Sequence, residues 1–286
     1  MASLRQIRRR IRSIHSTKQI MRAMQLVSGS KFKRAQTRLF QGRQVLEFLD
    51  GLLQRVLETS PNITHPLMTG SDTAPSALVL VTSDAGLAGS YNTNLIQLAE
   101  SELRRETLRR TEMVYIGKRG YRYFTKRGYL AREAHLDLAG RPDLKKIDAI
   151  GAALLEQFLA GRLGSVKLLY ARFFSASVSR PSLRPWLPIQ LSPSDEASRA
   201  SKEYIFEPTA RRVFEDLLPR WALTTFRLTI LEAFTSEHGA RMIAMKNATD
   251  NAQELLDSLT LQRNKIRQAT ITKELSEIVG TVEALK

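Results

Sequence analysis

Along the first sixty positions, alternating steps of three and four connect Leu4, Ile7, Ile11, Ile14, Lys18, Met21, Gln25, Ser28, Phe32, Ala35, Leu39, Gly42, Leu46, Leu49, Leu53 and Val56. A sustained 3.5-residue spacing lets one helix wrap another. The seam is apolar at both ends but polar or small at Lys18, Gln25, Ser28, Ala35 and Gly42. Small residues permit close approach, and polar ones fix register at a cost in stability. A second seam starts at Leu223, Phe226, Ile230 and Ala233, and steps by fours through Ala240, Ala244, Ala248 and Ala252. It returns to alternating steps at Leu255, Leu259, Gln262, Ile266 and Ala269. The run of fours is a stutter, which locally unwinds a left-handed supercoil.

All ten prolines lie between Pro61 and Pro219. Proline removes a helical hydrogen bond and clashes with the preceding turn, so both proline-free ends can each form one helix. A helix of about 60 residues is about 90 Å long, against the ~11–12 residues usual in a globular domain. Three segments are therefore predicted: an N-terminal coiled-coil helix over 1–60, a central α/β domain over 61–208, and a C-terminal coiled-coil helix over 209–286. The simplest arrangement folds the last helix antiparallel along the first.

Between them the pattern alternates. Ala77–Thr82 is a buried-strand candidate, followed by a glycine turn at Asp84–Gly89 and a helix capped near Asn92 or Thr93. Met113–Ile116 and Val166–Phe174 read as further strands, Lys118–Lys126 and Asp143–Leu159 as helices. Such alternation argues for a mostly parallel sheet covered on both faces. Pro181, Pro185, Pro188 and Pro193 mark an extended segment and loop. Glu207-Pro208-Thr209 opens the final helical region, where Pro219 is expected to kink the chain.

Composition sharpens this picture. The chain of 286 residues is 43% hydrophobic with a net charge of +16 and no cysteine. Disulfides, thiolate metal sites and thiol switches are excluded. No apolar run approaches the ~20 residues of a membrane span, and the charged start lacks the apolar core of a secretory signal. The first sixty residues carry thirteen basic and three acidic groups, and no acid precedes Glu47. Like charges without counter-ions repel along a helix, so an acidic partner is expected: nucleic acid, an anionic membrane surface or an acidic protein face.

Candidate chemistry is thin. Gly86-Leu-Ala-Gly89-Ser matches neither dinucleotide nor P-loop fingerprints, and no lysine follows for a phosphate; a tight structural turn is expected there. His15, His65, His135 and His238 lack ligand spacing, and Ser83-Asp84 has no histidine in the same motif. Glu274 and Glu277 share a helix face better suited to solvent or ion pairing than to catalysis. The basic and aromatic residues Arg119 to Arg127 fit a packed helix better than a single-strand binder. Neither a metal nor a cofactor is expected.

Three passages together resemble the gamma subunit of F-type ATP synthases. They are Ile7–Arg34, with Ile14, Thr17, Ile20, Ala23-Met24 and Ser30-Lys31; Thr82-Ser-Asp-Ala-Gly-Leu-Ala-Gly-Ser-Tyr-Asn92; and Ser236-Glu-His-Gly-Ala-Arg-Met-Ile-Ala-Met-Lys-Asn-Ala-Thr-Asp-Asn251, followed by Asn264–Val279. The resemblance implies an antiparallel coiled coil inside a ring of alpha and beta subunits. A central Rossmann-like α/β foot domain would lie against the epsilon subunit and the membrane c-ring. It places Met24, with Lys31, Lys33 and Arg34, beside an acidic beta-subunit segment, and Arg267 and Gln268 on a beta-subunit loop. Arg241, Thr272 and Glu277 match positions of coupling along the shaft, and Tyr204 and Glu207 match foot residues near the c-ring. This chain departs from the family at Ala85, Ala88 and Gly89-Ser90, and in the tail after Val279.

The implied function is mechanical: an asymmetric rotor biases three like catalytic sites differently, coupling ion flow to ATP synthesis or hydrolysis while catalysing nothing itself. Basic side chains such as Arg8 and Arg9 would grip the ring, and an apolar tip with Leu275, Ile278, Val279 and Leu285 would turn within it. Membrane association would arise through the complex, at the cytoplasmic face of a bacterial inner membrane. The rival readings are a basic helical arm that binds nucleic acid with steep salt dependence, and an enzyme on the central sheet, for which no catalytic set is apparent.

Overall fold

The computed structural model describes residues 4–105, 111–138, 143–191 and 206–284. Ten main elements follow in order: α1 (Leu4–Thr59), β1 (Ser76–Val81), α2 (Tyr91–Arg105), β2 (Thr111–Ile116), α3 (Lys118–Thr125), β3 (Ala131–His135), α4 (Leu144–Leu159), β4 (Ser165–Phe173), β5 (Ser179–Leu187) and α5 (Ala210–Ala284). The chain divides into two compact units, Gly29–Ala240 and a second made of Met1–Ser28 with Arg241–Lys286. Helices α1 and α5 supply residues to both. No described helix is long and apolar enough to cross a membrane.

In the unit Gly29–Ala240 a five-stranded sheet has the order β3-β2-β1-β4-β5. The first four strands are parallel, and β5 pairs antiparallel with β4. Central β1 is buried along nearly its whole length, as a strand covered on both faces must be. On one face Val79, Val81, Val114, Ile116 and Leu168 pack with Ile147 and Leu154 of α4 and Phe226 of α5. On the other, Leu80, Met113 and Tyr115 pack with Leu95 of α2 and Phe124 of α3. The Trp186 ring packs tilted against Phe226, with centroids 4.9 Å apart, and its indole N–H donates to the Ala222 carbonyl at 2.9 Å.

One edge strand differs from the sequence expectation and the other bears it out. Strand β3 was not foreseen because its charges interrupt any apolar pattern. Arg132 binds Glu112 and also donates to Gln157 at 2.9 Å, which in turn donates to Glu133 at 2.9 Å. The proline-marked extended segment is β5 itself, and prolines are tolerated there because one side of an edge strand needs no ladder donors.

Within the same unit α1 and α5 run antiparallel. Phe32 lies against Gly239, and Gly42 is so close to Leu228 that a Cβ there would come within 2.3 Å of its methyl. Arg43 meets Glu232 at 3.0 Å, and the Trp221 indole donates to Asp50. Advancing residues on α1 thus meet receding residues on α5. Every α1 seam position named from the sequence is buried or half-buried.

Helix α5 begins at Ala210, just past Glu207-Pro208-Thr209, and continues through Pro219, where Leu218 beside the proline is fully buried. One local expectation needs correction. Helix α2 begins at Tyr91, ahead of the expected cap, because Asn92 is spent on the preceding turn: its Oδ1 accepts from Ser83 N at 3.0 Å and its Nδ2 donates to Ser83 Oγ at 2.8 Å.

That turn is structural. Asp84 Oδ1 accepts from the amides of Lys118 at 3.0 Å and Asp137 at 3.1 Å. The carboxylate thus takes the position at the start of α3 where a phosphate could lie. Gly117, at φ 101°, closes β2 onto α3; a Cβ there would fall 2.0 Å from the Thr82 carbonyl oxygen.

Candidate coupling surface

The second unit pairs the start of α1 with the end of α5. Lys18 donates to Gln253 across the pair, and Ile7 and Ser28 are buried on α1. On α5 the buried line is Met245, Thr249, Ala252, Leu256 and Leu259, continued by half-buried Arg263 and Ile266. This corrects the expected ladder, since Leu255, Gln262 and Ala269 are exposed and Ala244 and Ala248 are only half-buried. Alternating steps of four and three therefore run from Met245 to Ile266. The misleading residue was Thr249, which is buried because its hydroxyl donates to the Met245 carbonyl at 2.7 Å, satisfying the group inside the helix.

Helical spacing sets several of the singled-out residues beside the α1 seam. In the second unit Ile20, Met24 and Val27 follow steps of four and three, and in the unit Gly29–Ala240 Lys31 and Arg34 stand three apart, each one residue before a seam position, so each set lies on a ladder beside its own stretch of the seam. Met24 is half-buried, Lys31 and Arg34 are exposed, and Ile20 and Val27 are more than half exposed. Exposed Lys33 stands three residues after Ser30 in the unit Gly29–Ala240, and Leu26 of the second unit is also exposed. Sequence reading missed Leu26 and Val27. The signal that could have found them was this second apolar ladder, displaced one position from the first.

On α5 no described side chain beyond Ile266 is buried. Arg267 shares a ladder with Ile271 and Ile278, and Gln268 shares one with Thr272, Leu275 and Val279; these four apolar residues are about half exposed. Glu277 pairs with Lys273 at 3.6 Å, both exposed, a contact worth little. Among the described residues no carboxylate pairs with Lys31, Lys33, Arg34 or Arg267. Arg241 is different: it is buried at 8% exposure and does not join the exposed ladders. Glu207 is exposed just before α5. Tyr204 and Leu285 lie outside the described residues.

This arrangement offers cations and apolar side chains on helix faces. Among the described residues no group of three or more His, Asp or Glu side chains is placed to hold a metal ion. Its chemistry is that of an interface with acidic and apolar complements.

A family model described as ATP synthase matches residues 3–285. The ATP synthase gamma chain of Symbiobacterium thermophilum is 39% identical over 282 residues, covering 98% of this chain and 97% of that relative. The gamma chain of Desulforamulus reducens is 38% identical over 286 residues, covering the whole of both. Among solved structures, the rotor of the Euglena gracilis mitochondrial ATP synthase aligns with a TM-score of 0.66 at 17% identity, covering 94% of this chain and 98% of that one. The central stalk and c-ring structure from Tetrahymena thermophila contains a chain aligned at 0.60 and 23% identity, over 80% of this chain and 99% of that one. These structures share the fold, and the full-length relatives carry the sequence: the chain belongs to the ATP synthase gamma chain family.

Proposed function

We propose that this chain is the central-stalk rotor subunit of a rotary ATP synthase, coupling transmembrane ion flow to ATP synthesis or hydrolysis on an alpha/beta ring. The observation that carries the reading is the family match along nearly the whole sequence. A rotor without threefold symmetry presents different side chains to three like sites, and their affinities shift by the differential contact energy.

In this reading Met24, Lys31, Lys33 and Arg34 of α1 meet an acidic beta-subunit segment. Arg267 and Gln268 engage a beta-subunit loop. Thr272 and Glu277 transmit coupling from the exposed end of α5. Buried Arg241 would act inside the helix pair by holding its geometry. Glu207, with Tyr204, would belong to the foot near the c-ring, and the epsilon subunit would dock on the central domain. The domain limits 1–60, 61–208 and 209–286 are proposed as functional divisions of shaft and foot. The protein would be peripheral, held by the complex at the cytoplasmic face of a bacterial membrane. The family assignment leaves the nucleic-acid arm without support.

The test is co-expression with alpha- and beta-like subunits from the same genome. Retention at one copy per three pairs, with ATPase activity dependent on this chain, is expected. Its absence from an otherwise assembled ring would overturn the reading.

A further inference from the structure

A cleft of about 700 Å³ opens in the unit Gly29–Ala240 between the β4–β5 ribbon and the two long helices, with Arg43, Tyr170, Arg172, Arg184 and Glu232 in its lining. The volume lies in the ~300–1,000 Å³ range of small-molecule sites. Its charge is lopsided. Glu232 is the sole carboxylate in the described lining, and a single oxygen of it already accepts from Arg43 at 3.0 Å and from the Phe173 amide at 3.1 Å. Nothing among the described residues forms a salt bridge with Arg172 or Arg184.

The ribbon gathers further positive charge. Arg172 and Arg180 stand directly opposite each other in the ladder, as do Tyr170 and Ser182. Like charges in that position destabilise a sheet, and strand alternation sets Arg184 on the same face. The arrangement is eased by Phe174, whose ring lies 5.3 Å from the Arg172 guanidinium and 5.5 Å from that of Arg180. Burial first, and then nearby Glu232, pushes the Tyr170 hydroxyl above its ordinary range against the pull of Arg184 and Arg172, so it remains a donor facing the cleft.

We propose that this cleft is a binding site for a small phosphate-bearing polyanion, held by Arg172 and Arg184 with Tyr170 as an added donor. Guanidinium groups suit phosphate oxygens because they present paired donors in a planar fork. A protein strand is a poorer occupant. Pro181 and Pro185 give β5 no N–H at those positions to offer a further strand, which leaves side-chain recognition of charge.

The test uses the purified full chain and inorganic pyrophosphate in magnesium-free, low-salt buffer, read by isothermal titration calorimetry. Saturable one-to-one binding is expected, weakened at least about tenfold in R172Q/R184Q, in line with losing two charge-assisted bonds. The control R105Q/R162Q removes two exposed arginines elsewhere and should stay within about twofold, as expected for surface charges remote from the site. Because the arginine variant could disturb folding, S182D supplies an independent reading by placing a carboxylate on the same face of the edge strand. It should abolish binding while circular dichroism stays unchanged. Absence of saturable binding, equal loss in both double variants, or retained affinity in folded S182D would overturn the proposal.

Discussion

Arg227 grips Asp148 with two bonds, Nε to Oδ1 at 2.6 Å and Nη2 to Oδ2 at 2.7 Å, tying α5 to α4 across the core face of the sheet. The pairing is bidentate, the geometry in which arginine is strongest. Both side chains are more than a third exposed, so solvent screens part of the gain. D148A should cost about 1 kcal/mol, between the exposed-pair and charged-hydrogen-bond ranges. Trp186 and Trp221 both belong to this unit, so fluorescence-detected urea unfolding reports the change as a lower midpoint. D148N, which keeps one acceptor, should lose less.

His65 links acidity to the same unit. Its Nδ1 accepts from the Leu67 amide at 3.0 Å, which requires an unprotonated nitrogen, and its ring packs edge-on 6.3 Å from Phe214. Burial lowers its pKa below the usual 6.5, opposed by Glu215. The folded state therefore binds the proton less readily than the unfolded chain. Its stabilising contribution is complete above pH 6.5 and declines as pH falls toward the folded pKa. Urea midpoints measured between pH 7.5 and 5 should fall in the wild type and fall less in H65Q. An unchanged slope in H65Q would remove His65 as the cause.

Most of α1 was legible because a large residue or a forced small one occupies each seam position. Gly42 looked like a weak point and is instead where Leu228 enters. On α5 the same reasoning slipped by one residue. Alanines at Ala244 and Ala248 advertise a ladder as plausibly as Met245 and Thr249, and side-chain size cannot separate adjacent faces of an alanine-rich helix. Leu255 and Leu256 show the ambiguity best: identical side chains, one 49% exposed and the other 8%. The interior strands were readable as continuous apolar runs, while β3 was not, since its pairing is stabilised by Arg132, Glu133 and their polar partners. The candidate contact residues Met24 and Arg267 came from motif resemblance. The half-burial of Met24, and the exposure of Arg267 with no carboxylate partner among the described residues, are tertiary facts that no single-residue property announces.

The leucine pair gives a direct test of the corrected register. L256A removes a buried side chain and should cost about 2–3 kcal/mol of local stability, whereas L255A should stay within about 0.5 kcal/mol. Amide hydrogen exchange over residues 245–266 measures this without requiring the whole chain to unfold. Faster exchange is expected in L256A alone. The opposite ranking would restore the ladder first read from the sequence.

Arg267 tests the functional reading most sharply, because it is exposed and has no carboxylate partner among the described residues. A surface arginine with no internal contact contributes little to folding, so R267E should leave helicity and urea midpoint within about 0.5 kcal/mol of wild type. In a reconstituted complex the same change replaces an attraction for an acidic or carbonyl-rich loop by repulsion. Truncating one partner of a buried, hydrogen-bonded interfacial charge pair costs about 2–5 kcal/mol, and reversing the charge should cost no less. Assembly yield or coupled ATPase should therefore fall by at least about thirtyfold, the lower end of that range. R267K, which retains charge but loses the planar fork, should fall between the two. Wild-type coupling in R267E would show that this position rests free of the ring, and would remove Arg267 from the proposed contact surface while leaving the family assignment intact.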